Sequence, residues 1–348
     1  MTRGRADKQT GAVKDIHAIY YGERASAGLQ FTEGTLISRQ GHGWSGAPDI
    51  YSKEQIEAWQ AVTAAVHKAN GVIFCQLAHS GRACHSDVTG HPIVSASAIP
   101  VSGEATGLNH EKKPYEVPRA LTVEEIAVIV GDFATAAKNS IEAGFDGVQL
   151  HSANGFLIGQ FTQSCSNQRT DGRVRRLDRE PSSLLQGGAC RSRRCHRQAA
   201  CVDPLEPQQA PSMTWARKTT LRPLTLRSSW PHRSRLLGLS CSTALPLGST
   251  RRAPYTLEQA RAAIASVDPK SQTALAGNVG YTLETAEKAI SEGRADIITF
   301  GRPFMSNPDL PERFRDGAVL APDSQYPDWW VNDTAEGYIT FPRATAAA

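Results

Sequence analysis

The sequence predicts an α/β fold in which parallel strands close into a barrel behind an outer layer of helices. Two observations carry this expectation. Outside residues 172–252, short β-rich runs alternate with helical periods, the signature of βα units on a parallel sheet. Polar residues of catalytic type recur at the C-terminal ends of those runs, where an α/β barrel builds its sites. A third observation limits the expectation: residues 172–252 fit no secondary-structure template, so the barrel is expected to be incomplete.

The elements follow in order. Residues 12–26 have helical spacing, and 29–38 read as a strand running into a loop. Helix 52–70 opens with Ser52 as N-cap and Gln55 at the capping-box position, and ends before Gly71. A buried strand over 71–81 carries Gln76 and His79 near its C-terminal end. Residues 82–120 are rich in Gly, Pro and Ser and predict a long excursion that could hold a hairpin. A helix over 122–144 is capped by Thr122 and Glu125, and the strand 145–154 delivers His151 and Asn154 at its end. Beyond the anomalous window come a helix (255–266), a strand and turn (273–280), a helix (282–294), a last strand (295–304) and a terminal helix (307–317).

Bulk properties narrow the function classes. Of the 348 residues, 40% are hydrophobic and 21% charged, as in an ordinary soluble enzyme. No apolar run approaches the roughly 18 residues that cross a bilayer, and the N-terminus lacks a secretory h-region. Seven cysteines without framework spacing favour a reducing compartment, so a cytoplasmic location is expected. The net charge of +4 conceals a split. Residues 172–252 hold 16 Lys and Arg against 4 Asp and Glu, while the remainder holds 22 against 30. That window has 15 arginines and seven prolines but no Phe, Tyr or Ile, a composition that speaks against a buried strand. Clustered arginines could neutralise nucleic-acid phosphates, but interleaved aromatics are limited to Trp215 and Trp230, so no nucleic-acid partner is expected. Cys190, Cys195, His196 and Cys201 could formally bind zinc but lack the paired C-x2-C spacing, so no metal is expected.

The segment "HSANGFLIGQF…SNQRTD" (151–171) resembles the old yellow enzyme family of FMN-dependent alkene reductases, whose corresponding strand reads H-x-x-N-G-Y-L-x-x-Q-F. "MTRGRA", "YYGERASAGLQFTEGTLIS", "FCQLAHSGR" and "ADIITFGRPFMSNPDLPERF" are similar to the same family and fall in its order. The resemblance covers residues 1–171 and 253–348 and implies a (β/α)8 TIM barrel. It implies FMN and NAD(P)H as cofactors, with hydride passing from NAD(P)H to flavin N5 and then to the β-carbon of an α,β-unsaturated carbonyl compound. His151 and Asn154 would donate hydrogen bonds to the substrate carbonyl oxygen, an oxyanion-hole role. Gln76 would meet the flavin pyrimidine edge, Thr2 the flavin O4, and Gly34 would lie beside the ring. Gly277, Asn278, Gly301 and Arg302 would hold the FMN phosphate, although βα turns require glycines on their own account.

The chain departs from the family in three ways. The proton-donating tyrosine is replaced by Phe156, which has no O–H. The family has a strand before "MTRGRA", so the first strand is expected to be absent. Residues 172–252 stand where the fifth and sixth βα units belong, and Asp203 falls near the place of a flavin-contacting arginine. The expected organisation is therefore one barrel in two parts, 1–171 and 253–348, around an anomalous basic segment. A barrel lacking three of eight strands is expected to fold poorly or hold FMN weakly. The genetic code supplies a cause. "VRRLDREPS" (174–182) can be encoded by codons that, read one base later, give Tyr-Gly-Gly-Ser-Ile-Glu-Asn-Arg, the family's own continuation. This predicts a frame slip near Gly172 and a compensating one near 250–254, and leaves an impaired remnant as the alternative to an active enzyme.

Overall fold

A computed structural model describes residues 2–163, 165–169, 238–242, 256–267, 269–270, 273–324, 329 and 333–344. In chain order the N-terminal part runs α1 (Asp15–Glu23), β1 (Gln30–Leu36), α2 (Lys53–Lys68), β2 (Ile73–Ala78), α3 (Ser86–Thr89), β3 (Val94–Ser95), β4 (Glu104–Thr106), β5 (Lys112–Pro114), β6 (Arg119–Ala120), α4 (Val123–Glu142), β7 (Gly147–Leu150) and α5 (Leu157–Thr162). The C-terminal part runs β8 (Gly238–Ser242), α6 (Leu257–Val267), β9 (Ala274–Asn278), α7 (Leu283–Ser291), β10 (Ile297–Thr299), α8 (Arg302–Ser306) and α9 (Leu310–Asp316). Two three-stranded parallel sheets form the barrel wall, β1-β2-β7 and β10-β9-β8. The excursion after β2 contains the antiparallel hairpin β4–β5.

Local chemistry accounts for the helix starts. Ser52 Oγ accepts from the Gln55 N–H at 3.2 Å, while Gln55 Oε1 accepts from the Ser52 N–H at 2.9 Å. Thr122 and Glu125 repeat the arrangement at the start of α4. Each reciprocal pair satisfies two backbone donors that a helix leaves open at its N-terminus.

One described element lies within the anomalous window. β8 lies inside 172–252, and its backbone pairs in parallel with β9 from Gly238↔Ala274 to Ser242↔Asn278. The composition argument weighed side chains, whereas the free edge of β9 requires only an extended backbone to satisfy its N–H and C=O groups. The described wall therefore has six parallel strands, still short of the eight of a closed barrel. The other features attributed to the basic window, including the Cys190–Cys201 cluster and Asp203, lie outside the described residues.

The main core sits between the β1-β2-β7 sheet and helices α1, α2 and α4. Trp59, fully enclosed, packs against Tyr21 and Phe145 at ring-centre distances of 6.1 and 5.2 Å. A second core joins the two parts of the chain: Ile158 from α5 packs with Leu257, Ala260, Leu275 and Ala295.

The chain's ends close over α1. Arg3 Nη2 donates to the Gly337 carbonyl at 2.7 Å, and Arg24 donates to the carbonyls of Phe304 and Met305 at 2.9 and 2.8 Å. Tyr338 stacks on Tyr20 with ring centres 4.1 Å apart and planes within 2°. The guanidiniums of Arg3 and Arg5 lie 5.0 and 4.8 Å from the Tyr338 ring centre. Tyr338→Ala is expected to cost about 3–5 kcal/mol, as for other fully buried aromatic truncations, read from the urea unfolding midpoint.

Candidate active site

Three adjacent strands bring one row of side chains into register: Gly34 lies opposite Gln76, and Gln76 opposite Gln149. Gly34 leaves a hollow. A Cβ there would sit 3.6 Å from Gln76 Oε1, 3.7 Å from the Ala78 methyl and 3.8 Å from Thr2 Oγ1. Gln76 Nε2 donates to Gln149 Oε1 at 2.6 Å, which fixes the amide and leaves its oxygen toward the hollow. Glu33 Oε2 accepts from the Arg3 and Gly4 N–H groups at 2.7 and 3.1 Å and so clamps the segment carrying Thr2. An amide, a hydroxyl and a missing side chain around one hollow suit the polar edge and face of a flat heterocycle. These residues fit an FMN ring.

His151 stands just beyond this row. Its N–H donates to the Leu77 carbonyl at 2.9 Å and extends the β2–β7 ladder past β7. The ring is 7% exposed with Nδ1 enclosed and unpartnered, and burial lowers its pKa to about 4. It is therefore a neutral imidazole at physiological pH. The turn that follows places Asn154 and Gly155 in the left-handed region, with φ of 58° and 73°. The Asn154 side chain is exposed, and the Phe156 ring lies 4.7 Å from that of His151 at 59°.

The residues expected at the phosphate collect at the matching edge of the other sheet. Asn278 ends β9 opposite Thr299, the last residue of β10, and Gly301 and Arg302 begin α8 two residues later. Gly301 and Arg302 are exposed, and the Arg302 guanidinium lies 4.9 Å from the Trp329 ring centre. Gly277 differs: it is buried, and a Cβ there would lie 2.8 Å from Ile298 Cδ1 and 2.9 Å from the Tyr281 hydroxyl. Packing alone accounts for that glycine. Among the described residues no group of three His, Cys, Asp or Glu could hold a metal ion. None of their helices is long and apolar enough to cross a membrane.

Gln149 and Glu33 support the site without having been singled out from sequence, and Gln160, the glutamine of the H-x-x-N-G-Y-L-x-x-Q-F pattern, was given no role there. Gln149 carried a usable signal, since it lies two residues before His151 on a period-two strand. His79 is a further buried imidazole, 1% exposed. Its Nδ1 accepts from the Gly81 N–H at 3.1 Å, and burial lowers its pKa to about 4. Both histidines bind a proton near pH 6.5 when unfolded but only near 4 when folded, so the unfolded chain holds more protons between those values. Their stabilising effect is complete above about pH 6.5 and declines as pH falls toward about 4, by on the order of 3 kcal/mol for each histidine. Urea unfolding at about pH 7 and pH 5 measures the loss; replacing either histidine by Asn should flatten the dependence.

Fold and site together define a flavin-dependent oxidoreductase of the (β/α)8 class. Residues 1–174 match the NADH:flavin oxidoreductase / NADH oxidase family. A putative 12-oxophytodienoate reductase 12 from Oryza sativa subsp. japonica is 36% identical, over 94% of this chain and 80% of its own length. The 12-oxophytodienoate reductase 2 of Arabidopsis thaliana is 31% identical, over 98% and 90%. The old yellow enzyme homologue from Zymomonas mobilis superposes with a TM-score of 0.78 at 32% identity, over 98% of this chain and 93% of its own. Morphinone reductase gives 0.78 at 29% identity, over 99% and 91%. The chain belongs to the NADH:flavin oxidoreductase / NADH oxidase family, and its cofactors are FMN and NAD(P)H.

Proposed function

We propose that this chain reduces the activated C=C bond of α,β-unsaturated carbonyl compounds. The observation carrying the reading is the hollow bounded by Thr2, Gly34 and Gln76, with His151 on the neighbouring strand end. When bound, FMN supplies a hydride, obtained from NAD(P)H, to the β-carbon of the alkene. The Gln76 amide and Thr2 hydroxyl hold the ring edge, and Gly34 makes room for the ring face. Asn278, Gly301 and Arg302 serve the phosphate; Gly277 contributes backbone at most. His151 and Asn154 donate to the carbonyl oxygen and stabilise the negative charge that develops there. Neutrality suits His151, since an imidazole that keeps one N–H polarises the oxygen without giving up a proton.

Phe156 favours a second reading, an enzyme impaired at its last step. It stands where a proton donor to the α-carbon belongs, and a phenyl ring has no proton to give. Reduction of other acceptors, oxygen included, does not need that donor. Purified protein separates the readings. A yellow preparation bleached by NADPH that consumes 2-cyclohexen-1-one supports the alkene reductase. Bleaching without enone consumption supports the impaired enzyme, and a colourless preparation opposes both. The division at residues 171 and 253, and a cytoplasmic location, belong to the same proposal; sequencing the DNA across codons 165–260 tests the frame slip.

A further inference from the structure

Gln160 is 1% exposed, and its carboxamide uses every hydrogen-bonding position it has. Nε2 donates to the Gly155 carbonyl at 2.7 Å and to the Ser80 carbonyl at 3.0 Å. Oε1 accepts from Ser95 Oγ at 3.0 Å and from the Arg82 N–H at 3.2 Å. One side chain thus ties the loop after β2, the short strand β3 and the turn after β7. Gly81 makes room for it: at φ 59°, a Cβ on Gly81 would stand 2.3 Å from Gln160 Oε1 and 2.6 Å from Nε2. Two donors and two acceptors at that reach are available from glutamine alone; glutamate lacks the donors and asparagine is one methylene short.

The partner that matters for chemistry is the Gly155 carbonyl. Asn154 and Gly155 both hold positive φ, a region that asparagine enters more readily than other non-glycine residues but still at a cost relative to ordinary backbone. Backbone bonds also tie this turn: Phe156 N–H to the Ala153 carbonyl at 3.2 Å, Leu157 N–H to the His79 carbonyl at 2.9 Å and Gln160 N–H to the Phe156 carbonyl at 2.9 Å. We propose that Gln160 is a positioning residue for substrate recognition: by fixing the Gly155 peptide it holds Asn154 in the left-handed backbone from which its amide meets the carbonyl oxygen. The proposal rests on the reading of Asn154 as a donor to that oxygen.

The test is a double-mutant cycle on the FMN-loaded protein, with cyclohexanone as an unreactive carbonyl ligand followed by calorimetry. Gln160→Met, close in shape but without the amide, is expected to weaken ketone binding about tenfold in the Asn154 protein. In the Asn154→Ala protein it is expected to change binding by less than about twofold, because no amide remains to be positioned. FMN affinity should stay within about twofold in both, since Gln160 does not touch the Thr2–Gly34–Gln76 hollow. Equal losses in the two backgrounds would mark Gln160 as a general structural support and overturn the proposal, as would no loss in the first. If Asn154→Ala alone leaves ketone affinity unchanged, the donor reading of Asn154 fails first and the proposal falls with it. Should Gln160→Met not fold, Gln160→Glu keeps both acceptors and loses the donors. Its ketone affinity should then rise as pH is lowered and the carboxylate regains a proton, and a pH-independent affinity equal to the parent's would overturn the proposal.

Discussion

Phe156→Tyr is expected to raise the rate of enone reduction by about 10²- to 10³-fold, the range general acid catalysis commonly contributes. The change adds one hydroxyl to a ring that is half-buried and already 4.7 Å from His151, so little repacking is required. The gain should be confined to reactions that place a proton on carbon. Oxidation of NADPH by oxygen, which ends without such a proton, should change by less than about twofold. Stopped-flow measurement of both half-reactions provides the comparison: reduction by NADPH should be unaffected and reoxidation by 2-cyclohexen-1-one accelerated. An unchanged enone rate in a yellow, reducible variant would show that Phe156 does not occupy the donor's place.

The second large effect is expected at the carbonyl end. His151→Ala and Asn154→Ala should each lower enone reduction by about 10²- to 10³-fold, comparable to removing one oxyanion-hole donor elsewhere. His151 also permits a check by pH. Because burial keeps its pKa at about 4, enone reduction should show no step near 6.5, where an exposed imidazole would titrate. A rate that falls with an apparent pKa near 6.5 would mean that the imidazole is solvated and charged. The two variants together should cost less than the product of their separate effects, since both act on one oxygen.

What the sequence disclosed depended on how local the determining chemistry is. The capping boxes at Ser52–Gln55 and Thr122–Glu125 are three residues wide, and each reads the same in sequence and structure. The strand carrying Gln76 and the one leading into His151 were legible from buried apolar runs that end in polar residues. β8 was not, because its place is set by the free edge of β9, more than thirty residues away in sequence. The Gln76–Gln149 and Gln160–Gly155 bonds were equally hidden, since register and loop proximity exist only in the folded chain. Gly277 shows a different limit: a glycine that admits a ligand and one that admits the Tyr281 hydroxyl are the same letter. Asn154 was legible as a residue but not as a strained backbone, which emerged only from its φ.

The closure of the chain's ends over α1 has a consequence for the hollow. Thr2 forms part of its rim, and the next residue, Arg3, grips the Gly337 carbonyl and faces the Tyr338 ring. Ligand occupancy and tail docking therefore share one short stretch of backbone, and two equilibria that share an element are linked reciprocally. Whatever free energy a filled hollow adds to or removes from tail docking, a docked tail adds to or removes from filling the hollow by the same amount. Residues 333–344 would then respond at the barrel's outside to what fills its interior, in proportion to that shared free energy.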